Sequence, residues 1–243
     1  MKSIVLIFIL GYASSQSISD TSPDIIPIVN GLSGDGVTTR YWDCCAPACA
    51  WYGAIKTKNG IPVQTCKTDG VTNSTVADNA QSGCVEGGVA FTCNNQQPYL
   101  KNATLSYGFA AASFSGGLDT SKCCSCFLLS FKGQLAGKQM LVQNQDTGMY
   151  LRQNHFDLHI PGGGVGLSNL GCMHQWNTGP DGWGDRINGV WKIEMCDLLP
   201  EVLQPGCRWR FEFMEGVGNP DVSFQEVKCP AELIAISGCG ELD

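Results

Sequence analysis

Fourteen cysteines in a chain of 243 residues constrain this sequence more than any other feature, because two pairs are vicinal: Cys44-Cys45 and Cys123-Cys124. Neighbouring Cα atoms sit about 3.8 Å apart, closer than a disulfide normally spans. Members of each pair must therefore bond to different partners, and each pair ties two distant segments to one point. An even count in a secretory context gives seven bridges, each contributing roughly 2–4 kcal/mol. Zinc ligation is the alternative, but three histidines and an oxidising compartment argue for bridges.

The secretory context comes from residues 1–15. Lys2 opens them, Ile4 to Leu10 form an apolar core, and Ala13-Ser14-Ser15 offers a cleavage site before Gln16. That apolar run is too short to span a bilayer. Residues 16–37, with Pro23 and Pro27, read as an irregular N-terminal arm, and 38–243 as a single catalytic domain without a Ser/Thr/Pro-rich linker. The formal charge is −7, and −8 once Lys2 is removed, which disfavours nucleic acid and anionic membranes as partners. A soluble, extracellular monomer is expected.

Periodicity reads as mainly β with short helices and long loops. Phe127 to Phe131 and Lys138 to Val142 are apolar runs joined by a Gly-containing connection, as in a hairpin. Arg208 to Phe213 alternates charge and ring and predicts a half-buried strand. Asp197 to Leu203 predicts one or two helical turns closed by Pro205-Gly206. Thirty glycines fit a small barrel with elaborate connections. The sequons at Asn73 and Asn102 are candidate glycan sites on the surface.

Two segments carry the chemistry. In Thr38-Thr39-Arg40-Tyr41-Trp42-Asp43-Cys44-Cys45, extended backbone puts Thr39, Tyr41 and Asp43 on one face. In Asn154 to Ile160 the same alternation puts His155, Asp157 and His159 on a polar side, with Phe156, Leu158 and Ile160 turned to the core. Two carboxylates beside aromatic rings suit glycosidic-bond hydrolysis, which needs a protonated acid and an ionised base. Their environments must separate their proton affinities. Partial desolvation near Phe156 and Leu158 would hold Asp157 protonated as acid, leaving Asp43 ionised as base. No serine sits in a nucleophile-elbow pattern, and the cysteines are taken as oxidised. Pro161-Gly162-Gly163-Gly164-Val165-Gly166 lacks the Lys-Ser/Thr ending of a phosphate loop and reads as a tight turn with close backbone packing. Trp51 and Trp183 are candidate sugar platforms; Trp191 and Trp209 read as core.

These segments, with Cys49 and Trp51, Tyr107 to Ala111, Cys123-Cys124-Ser125-Cys126, Gly206 to Phe211 and Cys229 to Leu233, closely resemble glycoside hydrolase family 45. The match runs in order from about Thr38 to Cys239. The resemblance implies a six-stranded double-psi β-barrel with long disulfide-stapled loops. It also implies an inverting endo-β-1,4-glucanase that needs no cofactor or metal and acts on β-1,4-glucan. Asp43 matches the general base and Asp157 the general acid, with Tyr41, Trp51, Ala111 and His155 lining or supporting the groove. The implied bridges are Cys44–Cys172, Cys45–Cys84, Cys49–Cys123, Cys66–Cys93, Cys124–Cys239, Cys126–Cys229 and Cys196–Cys207.

One position departs from the family pattern. A further acidic residue is expected seven positions before the acid, and Tyr150 stands there, while Asp146 lies four positions earlier still. Tyrosine is neutral at working pH, which implies weaker transition-state stabilisation on plain cellulose. Two other readings follow: a xyloglucanase or glucomannanase with an altered groove, and an expansin-like protein that binds glucan without cutting it.

Overall fold

A computed structural model of the chain describes residues 25–54, 61–74 and 80–240. The signal-peptide segment and the first part of the predicted arm lie outside these residues. The strands are β1 (Ser33–Tyr41), β2 (Thr65–Cys66), β3 (Asn73–Ser74), β4 (Tyr99–Leu100), β5 (Leu105–Ser113), β6 (Cys126–Phe131), β7 (Gln139–Asp146), β8 (His155–His159) and β9 (Val222–Val227). Three short helices accompany them: α1 (Leu170–Trp176), α2 (Gln204–Glu212) and α3 (Ala231–Ser237).

Hydrogen-bonded neighbours run β5-β7-β6-β9-β1-β8, and β8 pairs back with β5. Six strands therefore close on themselves, with β4 appended to β5 as an edge and β2–β3 forming a separate ribbon. The β1–β8 and β5–β7 pairs are parallel and the other four barrel pairs antiparallel. Closure removes the exposed edges that an open sheet must protect. This is the closed six-stranded barrel that the family resemblance implies.

Alternation decides what fills it. Phe127, Leu129 and Phe131 of β6, Met140 and Val142 of β7, Phe156 and Leu158 of β8, and Val222 and Phe224 of β9 belong to one buried cluster. Phe127, Phe156 and Phe224 pack mostly edge-on around Phe114. Burying each ring stabilises the fold by roughly 1.5–3 kcal/mol. On the opposite side, Tyr107, Phe109 and Leu141 pack with Leu233 of α3. The predicted hairpin is present as β6–β7, turning through a 3₁₀ segment at Gly133–Leu135.

Four expectations are corrected. Arg208 to Phe213 is not a strand but lies mostly within α2: Gly206, Trp209, Arg210, Phe213 and Met214 are buried at helical spacing, and Trp209 stacks on Phe213. Six residues of alternating charge and ring fitted a two-residue period, but only because Arg210 is buried, donating from Nη1 to the Val190 carbonyl. Pro205 therefore lies in the first turn of α2 rather than closing the preceding turns, where its missing N–H has no intrahelical partner to lose. Those turns exist, as 3₁₀ segments at Ile193–Leu198 and Glu201–Leu203. Trp191 is not core: it is 67% exposed, whereas Trp209 is buried. Within the stretch read as an irregular arm, Pro27 already bridges to Val227 and β1 starts at Ser33.

All seven bridges follow the implied pairing, and no cysteine is free. Each vicinal pair reaches two partners, and its bends are tight: Cys44 and Cys124 both adopt positive φ. The glycine-rich turn packs as the sequence predicts. Gly164 accepts from the Trp42 amide and Gly162 from the Val190 amide, and a Cβ on Gly163 would stand 2.9 Å from the Tyr41 nitrogen. Only glycine lets this turn lie against the end of β1. Among the described residues, no helix is long and apolar enough to cross a membrane.

Candidate active site

The site lies in a groove of about 600 Å³ whose floor is the C-terminal end of β1 with the facing residues of β5, β7 and β8. Ladder register determines what meets there. Thr39 pairs with Asp157, Asp157 with Ala111, and Ala111 with Asp146. Ladder partners project to the same side of a sheet, so β1, β8, β5 and β7 contribute a row reading Thr39, Asp157, Ala111, Asp146. Alanine in the middle keeps the space between the two carboxylates open. A register shift at Ala110/Ala111 brings Asp146 into this row.

Asp43 enters from beyond the end of β1 and is held by its backbone. Its neighbours Cys44 and Cys45 are tied to Cys172 and Cys84. Its Oδ1 accepts the Cys45 amide at 3.0 Å. Gly171, in the first turn of α1, is so close that a Cβ there would stand 2.4 Å from the Asp43 carbonyl oxygen. Asp43, Cys45 and Cys84 are near enough to suggest metal ligands, but both sulfurs are spent in one disulfide.

Asp157 is served by a directional chain. The Arg152 amide donates to Nδ1 of His155 at 3.1 Å, so the ring proton belongs on Nε2. Nε2 lies 2.8 Å from Thr39 Oγ1, and the Thr39 hydroxyl donates to Asp157 Oδ1 at 2.5 Å. Desolvation, reinforced by Arg152, pushes His155 down to about 4, so the ring is neutral and the chain keeps this direction at neutral pH. With Oδ1 engaged as an acceptor, a proton on Asp157 occupies Oδ2.

Asp146 accepts three hydrogen bonds: Ala48 and Thr147 amides to Oδ1, at 2.7 and 2.8 Å, and the Tyr41 hydroxyl to Oδ2 at 3.0 Å. Burial pushes it up to about 6 while those donors hold it down. Desolvation and then the Asp146 charge push Asp43 up to about 8. Desolvation likewise lifts Asp157 to about 7, opposed by the Thr39 hydrogen bond. Asp43 as well as Asp157 is thus held above the ordinary carboxylate range, whereas the sequence reading left Asp43 ionised. The Asp146 charge raises both; the Thr39 hydrogen bond and the Arg40 charge favour ionised Asp157, and the Cys45 amide favours ionised Asp43.

Of the residues expected at the site, Tyr41, Asp43, Ala111, Tyr150, His155 and Asp157 all line this groove. Tyr150 does so from an exposed loop, 75% accessible. Trp51 is not part of this lining; it lies at the surface beside the 3₁₀ turn Ala48–Ala50. Trp183 lines a separate shallow hollow with Trp176. His159, on the same strand face as Asp157, is buried against Trp42 with ring centroids 4.1 Å apart. Asp146 is the groove residue that sequence reasoning set aside. Its spacing from Asp157 looked wrong, and the signal that finds it is the parallel pairing of β7 with β5.

The family model "Glycosyl hydrolase family 45" matches residues 35–240. The chain belongs to glycosyl hydrolase family 45. It is 54% identical to an endoglucanase of Phaedon cochleariae over 236 residues, 96% of either chain. It is 46% identical to an endoglucanase of Cryptopygus antarcticus, covering 88% of this chain and 93% of that one. The crystal structure of a cellulase from that Antarctic springtail superposes with a TM-score of 0.79 at 45% identity, covering 86% of this chain and 97% of that one. Family 45 membership and barrel closure thus agree over the same residues.

Proposed function

We propose that this family 45 chain is a secreted, inverting endo-β-1,4-glucanase in which Asp157 is the general acid and Asp43 the general base. The observation that carries the reading is the convergence of both aspartates, from β8 and from the end of β1, on one groove. Relatives named endoglucanase support the reaction, and seven disulfides support an oxidising, extracellular destination. The chain from Arg152 through His155 and Thr39 fills Oδ1 of Asp157 and leaves Oδ2 to deliver a proton to the leaving oxygen. Asp43, with one oxygen on the Cys45 amide, has the other to draw a proton from water as that water attacks the anomeric carbon.

The raised proton affinities of Asp43 and Asp157 fit this division once the carboxylates are treated as one coupled group, whose productive form has Asp43 ionised and Asp157 protonated. Arg40 and the Thr39 hydroxyl favour ionised Asp157, and the Asp146 charge opposes them. Neutral Tyr41, its hydroxyl proton held by Asp146, presents its ring to the groove.

The test is the stereochemistry of the first product. An inverting pair leaves room for water and is spaced about 6.5–9.5 Å. Proton NMR on cellopentaose should show α-anomeric product before mutarotation. Initial β-product would require a covalent intermediate and remove Asp43 from the role of base. Release of reducing ends from carboxymethyl-cellulose ahead of xyloglucan and glucomannan would confirm unbranched β-1,4-glucan as substrate.

A further inference from the structure

The reaction as proposed uses two carboxylates, yet the groove contains a third with no role in it. Asp146 stands at the end of β7, across Ala111 from Asp157. It is tied down at both oxygens, by the Ala48 and Thr147 amides on one side and the Tyr41 hydroxyl on the other. Two backbone amides from different segments and a phenol converging on one carboxylate form a cradle for negative charge. Such a cradle at the surface would be unremarked. Lining the same groove as two other carboxylates, it concentrates charge of one sign where desolvation is already costly.

We propose that Asp146 is a positioning residue of the reaction centre whose negative charge governs how tightly Asp43 and Asp157 hold their protons. Three donors oppose the burial that raises Asp146, so that above about pH 6 it is ionised beside two groups that must exchange protons. Its charge makes loss of a proton from either neighbour harder, which strengthens Asp43 as a base and keeps Asp157 able to act as an acid. The other ionisable groups in reach are few. From β1 they are Tyr41, which is held neutral, and Arg40, whose charge favours ionised Asp157; from β8 there is His155, held neutral by burial. Asp146 is the anion that opposes Arg40. It lifts both catalytic aspartates in the same direction, and at Asp43 it stands next after desolvation. The same cradle fixes the Tyr41 ring at the groove wall, so Asp146 also orients a sugar-facing surface.

This inference rests on the glucanase reading, and its test separates the two. Asp146→Asn keeps an oxygen for the Ala48 and Thr147 amides and presents its amide to the Tyr41 oxygen, so the fold should hold while the charge disappears. The pH profile of kcat/KM on carboxymethyl-cellulose should then move to lower pH on both limbs, by about one pH unit, as expected when a nearby like charge is removed. Asp146→Glu, which keeps the charge, should retain the native limbs at reduced kcat. Lower activity with both limbs in place would reduce Asp146 to a structural residue and overturn the proposal, as would an unchanged enzyme. If Asp146→Asn fails to fold, 13C-aspartate NMR on the native enzyme decides, with resonances assigned through Asp43→Asn and Asp157→Asn. The Asp43 carboxyl should show a second inflection where Asp146 titrates, and a single inflection would overturn the proposal. A native enzyme that cleaves no glucan would instead defeat the functional reading itself.

Discussion

At the scale of single residues the site is a set of competing claims on protons. Asp157→Asn should lower turnover on cellulose by roughly 10²–10⁴-fold, the usual cost of a lost general acid. The loss should shrink on an aryl cellotrioside with a good leaving group, which needs no proton. Asp43→Asn should be impaired on both substrates, because attack of water fails whatever leaves. If the aryl substrate rescues Asp43→Asn instead, the two roles are exchanged, which the raised proton affinity of Asp43 would then explain. Thr39→Val removes the hydroxyl between His155 and Asp157. The Thr39 bond favours ionised Asp157, so its loss should move the basic limb of kcat to higher pH and cut kcat by about tenfold, near the value of a hydrogen bond to a charged group. An unmoved limb would show that this chain does not govern the acid. Strand alternation made Thr39, Tyr41, Asp43, His155 and Asp157 legible before any coordinates. Asp146 was not, because its approach depends on which strand lies beside β7 and on the register shift at Ala111, and neither is written locally.

At the scale of elements, the geometry of Asp43 is a property of α1 and two disulfides more than of the aspartate itself. The helix reaches Asp43 only because residue 171 is glycine, and Cys172 one position later is bonded to Cys44. Gly171→Ala would put a methyl group 2.4 Å from the Asp43 carbonyl oxygen and 2.6 Å from the Cys84 sulfur. Neither neighbour is a free side-chain end, so the helix or the Asp43 peptide must move. We expect a loss of roughly 1–3 kcal/mol in stability, the range for an overpacked interior, together with a fall in kcat and little change in KM. Thermal unfolding and kinetics on carboxymethyl-cellulose check this; wild-type kcat would mean that Asp43 is held by Cys45 and Cys84 alone. The elements differed in how well they could be read. Strand β8 followed from alternation because it has one apolar face, whereas β1 has none, and its residues 33–37 fell in the stretch read as an irregular arm. Helix α2 did not, since burial of Arg210 on the Val190 carbonyl hides a polar residue in the core face and erases the helical period. The disulfide pairing was out of reach of spacing arguments too, because seven bridges among fourteen cysteines depend on the topology that they staple, and family likeness supplied it.

At the scale of the whole molecule, the groove makes the protein's stability depend on pH from two directions. Asp43, Asp146 and Asp157 are held above the ordinary carboxylate range, near 8, 6 and 7, chiefly by desolvation. Between roughly pH 4, where these groups titrate in the unfolded chain, and those values, the folded protein binds more protons than the unfolded one. Stability from these groups is therefore fully present below about pH 4 and is lost as pH rises toward 8. The buried histidines act in the opposite sense. Burial lowers His155 to about 4 and His159 to about 3, so below about pH 6.5 the unfolded chain takes up protons that the folded protein refuses. Their contribution is present above that point and is lost as pH falls. The three carboxylates outweigh the two histidines where both act, so the thermal midpoint should fall as pH rises from about 4 toward 8, the histidines making the fall shallower below about pH 6.5. The decline above about pH 6.5 belongs to the groove, and the shallower stretch below it carries the opposing contribution of His155 and His159, so the two can be separated. Asp43→Asn should flatten the alkaline side and raise the midpoint at pH 8, where the wild type carries a desolvated charge, even as it abolishes turnover. A midpoint at pH 8 no higher than the wild type's would mean that water reaches Asp43 freely in the folded protein, and that the groove carries its three carboxylates at no cost to the fold.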